Sequence, residues 1–349
     1  MNSLITFYKK IKNRNYFENV YLTKYAFVGM GNHSINNLYP VLNYLNVPLK
    51  YIIVKTKERA LLIGNKFSNI IASNNFSDVL TDSEVANVFI CAKPKSHYEL
   101  VKTALLHNKN VFVEKPPCTS LQELEDLIET VHETNKICLV GMQKRYSPCS
   151  NILKKRLQKE AIISYNYRYV TGNYPEGDEV VDLYMHPLDL ISYLFGDYKI
   201  ISLYNTNSEN KQNGSSVFLH LLHNNFIGNI EISTNYMWNI CEEQLQINTK
   251  TGLYTMENHD VLTYLKKQGT LLTIPLEKVF PKPKQLVYLF NRNNFNPVIN
   301  NNQLYTSGYY QQLVTFIALC EGKKANALST LHKLKPTFTL IEAIKKSYV

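Results

Sequence analysis

From residue 25 to about 142, short apolar runs alternate with helix-length amphipathic stretches, and this alternation constrains the fold more than any other feature. The runs are YAFVG (25–29), YIIV (51–54), VFICA (88–92), VFVE (111–114) and ICLVG (137–141). Candidate helices fall between them at about 34–45, 57–66, 97–107 and 120–134, with Thr119 or Ser120 as N-cap of the last and Glu123 as its capping-box partner. Strands apolar on both faces need cover on both faces. Strands joined through helices run parallel with right-handed crossovers. The first half is therefore expected to be an α/β domain built on a parallel sheet.

The pattern changes after about 145. A helix is expected over 187–195 with Gly196 as its stop, and then strands dominate. SSVFLHLL (215–222) and FIGNIEIST (226–234) read as a hairpin about His223–Asn225, and QLQINT (244–249) and GLYTME (252–257) as another. Residues 280–303, rich in Asn, Lys and Pro, read as an irregular insertion, and helices near 308–321 and 336–347 close the chain. The expected division is an extension at 1–23, a dinucleotide-binding domain at 24–144, and an α+β domain with a large, mainly antiparallel sheet at 145–349. A sheet covered by helices on one side only is expected to leave an apolar face that a second copy covers, giving a homodimer or homotetramer.

Composition narrows the function classes. With 45% hydrophobic and 19% charged residues among 349, the chain has apolar surface enough to offset its conformational entropy, so general disorder is excluded. No run of about 18 apolar residues predicts a membrane span. The N-terminus lacks a long apolar secretory core, which points to the cytoplasm. The net charge of +10 favours anionic partners, yet no basic heptad helix, zinc-finger spacing or aromatic RNA-binding strand accompanies it, so nucleic acid is not expected. The six cysteines form no C-x-x-C pair and stand beside no histidine cluster; neither a metal site nor a disulfide framework is expected. In the extension, Leu4, Ile5, Tyr8 and Ile11 recur at near-helical spacing beside Lys9, Lys10 and Lys12, a basic amphipathic segment able to touch a membrane or pack on protein.

Three motifs carry chemistry. Gly29, Met30, Gly31, Asn32, His33 and Ser34 close the first apolar run and open a helix. Gly29 permits the tight turn, Gly31 lets a pyrophosphate approach the backbone, and the helix N-terminus offers its N–H groups. In an alternating half this reads as the dinucleotide-binding turn of a Rossmann domain, with small Ser34 in the third glycine position, against the alternative of an ordinary glycine turn. The second run ends without the carboxylate that would hold the ribose 2′-hydroxyl of NAD. Lys55, Thr56 and Lys57 stand there instead, which favours NADP(H), with NAD(H) as the alternative. The third motif is Glu114–Lys115–Pro116–Pro117 at the end of a strand.

With these motifs the chain resembles the glucose–fructose oxidoreductase/inositol dehydrogenase (Gfo/Idh/MocA) family from about residue 24 to the end. The resemblance rests on the glycine turn, His97 with Glu99, E-K-P at 114–116, Gly141, Arg145–Tyr146 with Pro148, and the D-x-x-x-H-x-x-D set Asp182, His186 and Asp189. Leu194–Phe195–Gly196, Tyr310, Phe316, Gly322, Ile341, Ala343, Ile344 and Ser347 extend it. It implies that Lys115 lies beside the nicotinamide and touches the reacting hydroxyl, with Asp182 and His186 completing the catalytic group. The chemistry is coherent: a histidine takes the hydroxyl proton, a carboxylate orients it, and an ammonium stabilises developing alkoxide. Pro187 disfavours helix at His186, so the helix is expected to start at Pro187 and leave 182–186 as a turn.

The resemblance also implies cofactor contacts from Ala92, Lys93, His97, Glu114, Lys115 and Gln143. Here the strand-end loop departs from the family pattern, with Pro94 displaced and Lys93 unexpected, and Gln143 stands where Asn is usual. Arg145 either contacts substrate or pairs structurally. Tyr169, beside Arg168, faces either the pocket or solvent. The implied function is hydride transfer between nicotinamide and a secondary hydroxyl or keto group of a sugar or nucleotide-sugar. The alternatives are a non-catalytic nicotinamide-sensing regulator of the same fold and an aldose–aldose oxidoreductase with permanently bound cofactor.

Overall fold

The computed structural model describes residues 2–17, 20–173, 178–207, 214–279, 285–292 and 302–347. The chain forms two compact units. One comprises Met1–Gly141 with Tyr309–His332, the other Met142–Gly308 with Lys333–Val349.

The first unit opens with α1 (Asn2–Phe17) and β1 (Lys24–Val28). The expected helix at 34–45 is broken into a wide π-turn at Ser34–Leu38 and α2 (Tyr39–Tyr44). Pro40 has no N–H for an α-type ladder, and just before it the Tyr39 N–H reaches Ser34 O, five residues back. Then follow β2 (Leu49–Ile53), α3 (Lys57–Lys66), β3 (Ile71–Ser73), α4 (Ser77–Leu80), β4 (Val85–Ile90), α5 (His97–Leu106), β5 (Asn110–Val113), α6 (Leu121–Thr134) and β6 (Cys138–Val140). The short edge strand β3 went unread, because three residues carry too little apolar signal. The N-cap of α6 is Ser120, which accepts from Glu123 N–H at 3.1 Å, while the Glu123 carboxylate takes the Thr119 N–H at 2.7 Å.

These strands form one parallel sheet in the order β3-β2-β1-β4-β5-β6. Order reverses between β1 and β4, the switch point at which such sheets bind ligands beyond the strands' carboxyl ends. Tyr25, Phe27, Phe89 and Phe112 fill the core with no exposed surface.

The second unit contains α7 (Pro148–Leu157), β7 (Ile162–Gly172), α8 (Glu179–Asp182), α9 (Met185–Phe195), β8 (Lys199–Asn207), β9 (Ser215–Leu222), β10 (Ile227–Tyr236), β11 (Glu242–Thr249), β12 (Gly252–Glu257) and β13 (Val261–Lys266). The two-residue strands β14 (Thr270–Leu271) and β15 (Ile274–Pro275), α10 (Leu276–Val279), β16 (Leu286–Asn291) and α11 (Gln303–Thr306) follow. Eight strands build a mixed sheet in the order β16-β13-β12-β11-β7-β10-β9-β8, parallel only between β7 and β10.

Three expectations need correction here. Helix α9 starts at Met185, two residues before Pro187. As its third residue Pro187 breaks no ladder, since the first N–H groups of a helix lack intrahelical acceptors anyway. Within the supposed irregular insertion, Leu286–Asn291 pairs with β13; residues 280–284 and 293–301 lie outside the described residues. The outer sheet face is not an apolar slab. Strand β9 alternates, burying Val217, Leu219 and Leu221, but neighbouring outward positions are Asn166, Asn229 and Arg168, joined by Asn229–Asn166 (2.8 Å), Arg168–Glu231 (3.1 Å) and Arg168–Glu242 (2.8 Å). Exposed aromatics include the paired Tyr204 and Phe218 at the β8 edge, Tyr236 on β10 and Tyr288 on the opposite edge strand β16.

Helix α12 (Tyr309–Cys320) belongs with the first unit, whereas the sequence reading kept all of 145–349 together. Phe316 packs on Phe89 and Phe112, at 5.3 and 5.9 Å between ring centres, and Glu321 accepts from Tyr25 Oη at 2.8 Å. Ser329 bonds the backbone of Val140 through its hydroxyl and carbonyl. The last helix, α13 (Lys335–Ser347), returns to the second unit, where Thr337 donates to Asp189 at 3.1 Å.

Candidate active site

In the first unit the glycine turn lies at the carboxyl end of β1. Gly29 has φ +90°, and a Cβ there would stand 2.3 Å from Cys91 O, so no other residue fits. A Cβ on Gly31 would meet nothing within 4 Å; the backbone is open to a ligand on that side. Ser34 Oγ donates to Gly29 O at 2.8 Å and ties the turn to the start of the helix. Asn32 and His33 are exposed, while Met30 is buried. The ring of His33 sits against Tyr309, with Nε2 3.6 Å from the Glu114 carboxylate.

Beyond β2, Lys55, Thr56 and Lys57 are exposed. Thr56 caps α3, its hydroxyl accepting from the Arg59 N–H. Sequence reasoning passed over Arg59, whose guanidinium donates to Met30 O and so fastens a cation to the glycine turn. The one available signal was its place one turn after the Thr56 cap.

Beyond β4, Ala92 is half-buried and Lys93 exposed. His97 points inward. Its Nδ1 lies 2.7 Å from Pro116 O and its Nε2 3.0 Å from Ala92 O, so the ring ties the β4 loop to the E-K-P loop rather than presenting itself to a ligand. Burial lowers its pKa against the pull of the two carbonyls, and the neutral ring donates to one of them at a time. Burial pushes the Cys91 thiol up to about 12, which leaves it inert as a nucleophile.

Glu114 ends β5 with its side chain buried directly under Gly141, where a Cβ would lie 2.7 Å from the carboxyl. One oxygen accepts from Lys115 N–H at 3.2 Å, while Oε1 has no partner among the described residues. Lys115 is half-buried and precedes Pro116 through a cis peptide bond. An open backbone at Gly31 and an unmatched buried acceptor at Glu114 fit a dinucleotide, which brings phosphates to the first and hydroxyl or amide donors to the second.

In the second unit, Gln143 is buried and its Oε1 has no partner among the described residues, a second acceptor of the same kind. Arg145 is 2% exposed and grips Asp189 through two nitrogens at 2.8 and 2.6 Å, with Lys333 O as a third acceptor at 3.0 Å. Of its two readings, the structural pair is the one this geometry supports. Tyr169 is half-buried beneath Lys144, whose Nζ sits 4.9 Å from the ring centre. Burial and the nearby Glu243 raise the Tyr169 pKa and keep the phenol protonated.

Lys144 itself pairs with Glu243, which also accepts from Tyr167 Oη at 2.6 Å and faces His259 Nε2 at 3.1 Å. Burial alone would raise the Glu243 pKa, but Lys144 and His259 outweigh it and hold the group well below the usual carboxylate range. No local sequence signal marks this cluster, because its members meet only across the sheet. Asp182 ends α8 and His186 lies in the first turn of α9; both are half-buried, and Asp182 Oδ2 accepts from Asp178 N–H at 3.1 Å. Lys115 thus belongs to one unit and Asp182 and His186 to the other. Among the described residues no group of three His, Cys, Asp or Glu is placed to hold a metal, and no helix is long and apolar enough to cross a membrane.

Residues 23–142 match the oxidoreductase family with an NAD-binding Rossmann fold. The scyllo-inositol 2-dehydrogenase (NAD(+)) of Bacillus subtilis is 31% identical over 127 residues, which is 34% of this chain and 37% of that relative. The chain therefore spans little more than a third of the length of that curated relative. Solved structures extend the likeness in fold. A dehydrogenase from Chromobacterium violaceum superposes with a TM-score of 0.79 at 19% identity, covering 94% of this chain and 96% of its own. UDP-N-acetylglucosamine 3-dehydrogenase from Acidithiobacillus ferrooxidans does so with 0.72 at 15% identity, covering 93% and 97%. Residues 23–142, about a third of the chain, are thus the dinucleotide-binding segment of the Gfo/Idh/MocA family of oxidoreductases.

Proposed function

We propose that this protein is a nicotinamide-dependent dehydrogenase or reductase that moves hydride between its cofactor and a secondary hydroxyl or keto carbon of a sugar, cyclitol or nucleotide-sugar. The observation that carries the reading is the strand-end Glu114–Lys115–Pro116 next to the switch point of a sheet whose glycine turn is open at Gly31. Bound nicotinamide supplies the hydride acceptor or donor. Glu114 takes a donor from the cofactor with its unmatched oxygen. The Lys115 ammonium steadies negative charge on the reacting oxygen, His186 removes or returns the hydroxyl proton, and Asp182 holds the imidazole in the form that does so.

NADP(H) is the favoured cofactor. No carboxylate stands at the end of β2 itself; the first, Glu58, lies in the opening turn of α3, and Lys55, Lys57 and the anchored Arg59 offer donors to a 2′-phosphate beside Thr56. The relative acting on scyllo-inositol and the same-fold enzyme acting on a UDP-sugar support polyhydroxylated ring substrates. Association of copies through the large sheet is part of this proposal; Tyr204 and Phe218 supply its apolar contact. The test is a thermal-shift panel of sugars, cyclitols and nucleotide-sugars with each nicotinamide cofactor, followed by turnover read from nicotinamide absorbance. Ligands that bind the folded state raise its melting temperature. Turnover of one class supports the reading. Cofactor binding with no turnover across the panel moves the chain to the regulatory alternative.

A further inference from the structure

The nicotinamide chemistry gives α1 no task, yet the segment is not covered by its own fold. Every side chain from Ser3 to Ile11 is exposed, with Leu4 at 73%, Phe7 at 62% and Tyr8 at 65%. Positions 4, 7, 8 and 11 follow the i, i+3, i+4, i+7 spacing of a single helical stripe, so Leu4, Phe7, Tyr8 and Ile11 form one exposed apolar face. Lys9 and Lys10 lie outside that stripe. The segment continues with Lys12 and Arg14 and reaches its first carboxylate only at Glu18, beyond the helix. The stripe therefore needs a partner that is apolar where it touches Leu4, Phe7 and Ile11 and negative around them.

A second copy of α1 meets the first demand and fails the second, since it brings four cations against four with no carboxylate between them. An anionic bilayer meets both. We propose that α1 lies in the plane of a negatively charged membrane surface, its apolar stripe at the headgroup–acyl boundary and its lysines extended to lipid phosphates. The helix anchors the enzyme to the surface without spanning it; 16 residues make a rod about 24 Å long, laid flat.

The test uses the full chain in co-sedimentation with phosphatidylcholine vesicles, with and without about one-third phosphatidylserine, at low salt and at about 1 M salt. The protein is expected to pellet with the anionic vesicles at low salt and to stay in solution with neutral vesicles or high salt. Each lysine near an anionic surface strengthens binding about five-fold, so a Lys9→Gln/Lys10→Gln variant should partition about 25-fold more weakly. A Leu4→Ser/Phe7→Ser variant should fall to background. Both change exposed positions, and an unchanged melting temperature confirms that the fold is intact. Equal binding to neutral and anionic vesicles, or undiminished binding by the serine variant, overturns the proposal. Absence of vesicle binding, with a dimer that the serine variant dissolves, assigns the stripe to a second copy instead.

Discussion

Each of the two units buries a glutamate at the end or middle of its sheet, and they treat it in opposite ways. Glu243 is matched on every side, by Lys144, Tyr167 and His259. Glu114 is equally buried but keeps an oxygen without a partner among the described residues. A buried acceptor left open costs stability, on the order of 1–3 kcal/mol, so its persistence is understandable when a ligand completes it. The matched glutamate serves as a strut, and the unmatched one is the position proposed above to receive the cofactor. The same contrast separates Arg145, locked onto Asp189, from the surface cations Lys55 and Lys57.

The largest expected effects fall on the reacting group. Lys115→Ala and His186→Ala should each lower kcat by about 10²–10⁴-fold with cofactor affinity nearly unchanged. The double variant should lose far less than the product, because residues acting as a unit are not additive. Normal turnover with only an earlier melt for His186→Ala would place this residue among the struts.

Glu243 comes next. Removing one member of a buried pair strands the other, so Glu243→Ala should cost about 3–5 kcal/mol in denaturant unfolding. The pH dependence has a definite sign. Glu243 is held below the ordinary carboxylate value of 4.5, so its stabilisation is present above that pH and is lost as pH falls toward its folded pKa. Glu243→Gln should flatten the acid limb of the stability curve; an unchanged limb would show that Lys144 does not stabilise the charge. Glu114→Gln, by contrast, should hardly move the melting temperature while weakening cofactor binding, and calorimetry on the same variant reads both.

Cofactor choice gives a smaller difference. Arg59→Ala should cost NADP(H) about 1.5–3 kcal/mol and leave NAD(H) almost untouched, as a charge-assisted contact to a 2′-phosphate requires. Titration of both cofactors at one salt concentration decides it, and equal losses would mean that Arg59 only braces the glycine turn. Lys55→Ala and Lys57→Ala should shift the same ratio less, since these exposed side chains must be ordered on binding. Smallest for the fold itself is Gly31→Ala. Its Cβ meets open space, so stability should hold while cofactor affinity drops; Gly29→Ala, aimed at Cys91 O, should damage folding instead.

Much of the first unit was legible in the chain alone, because what defines it is local. Apolar runs alternate with capped helices, a glycine turn must follow β1, and Ser120 caps α6, each readable within a few residues. The hairpins at 215–236 and 242–257 were legible for the same reason. What only the tertiary structure decided depends on distant partners. Helix α12 follows the strands it covers after some two hundred residues or more, and Phe316 finds Phe89 and Phe112 only after the chain has left and returned. Whether His97 faces a ligand or two carbonyls, and whether Arg145 meets substrate or Asp189, is settled by packing that no spacing encodes. The middle of the large sheet's outer face is polar because register sets Asn166 beside Asn229 and Arg168 beside Glu231. Strand alternation tells which residues share a face of one strand, but strand order and register determine what that face meets.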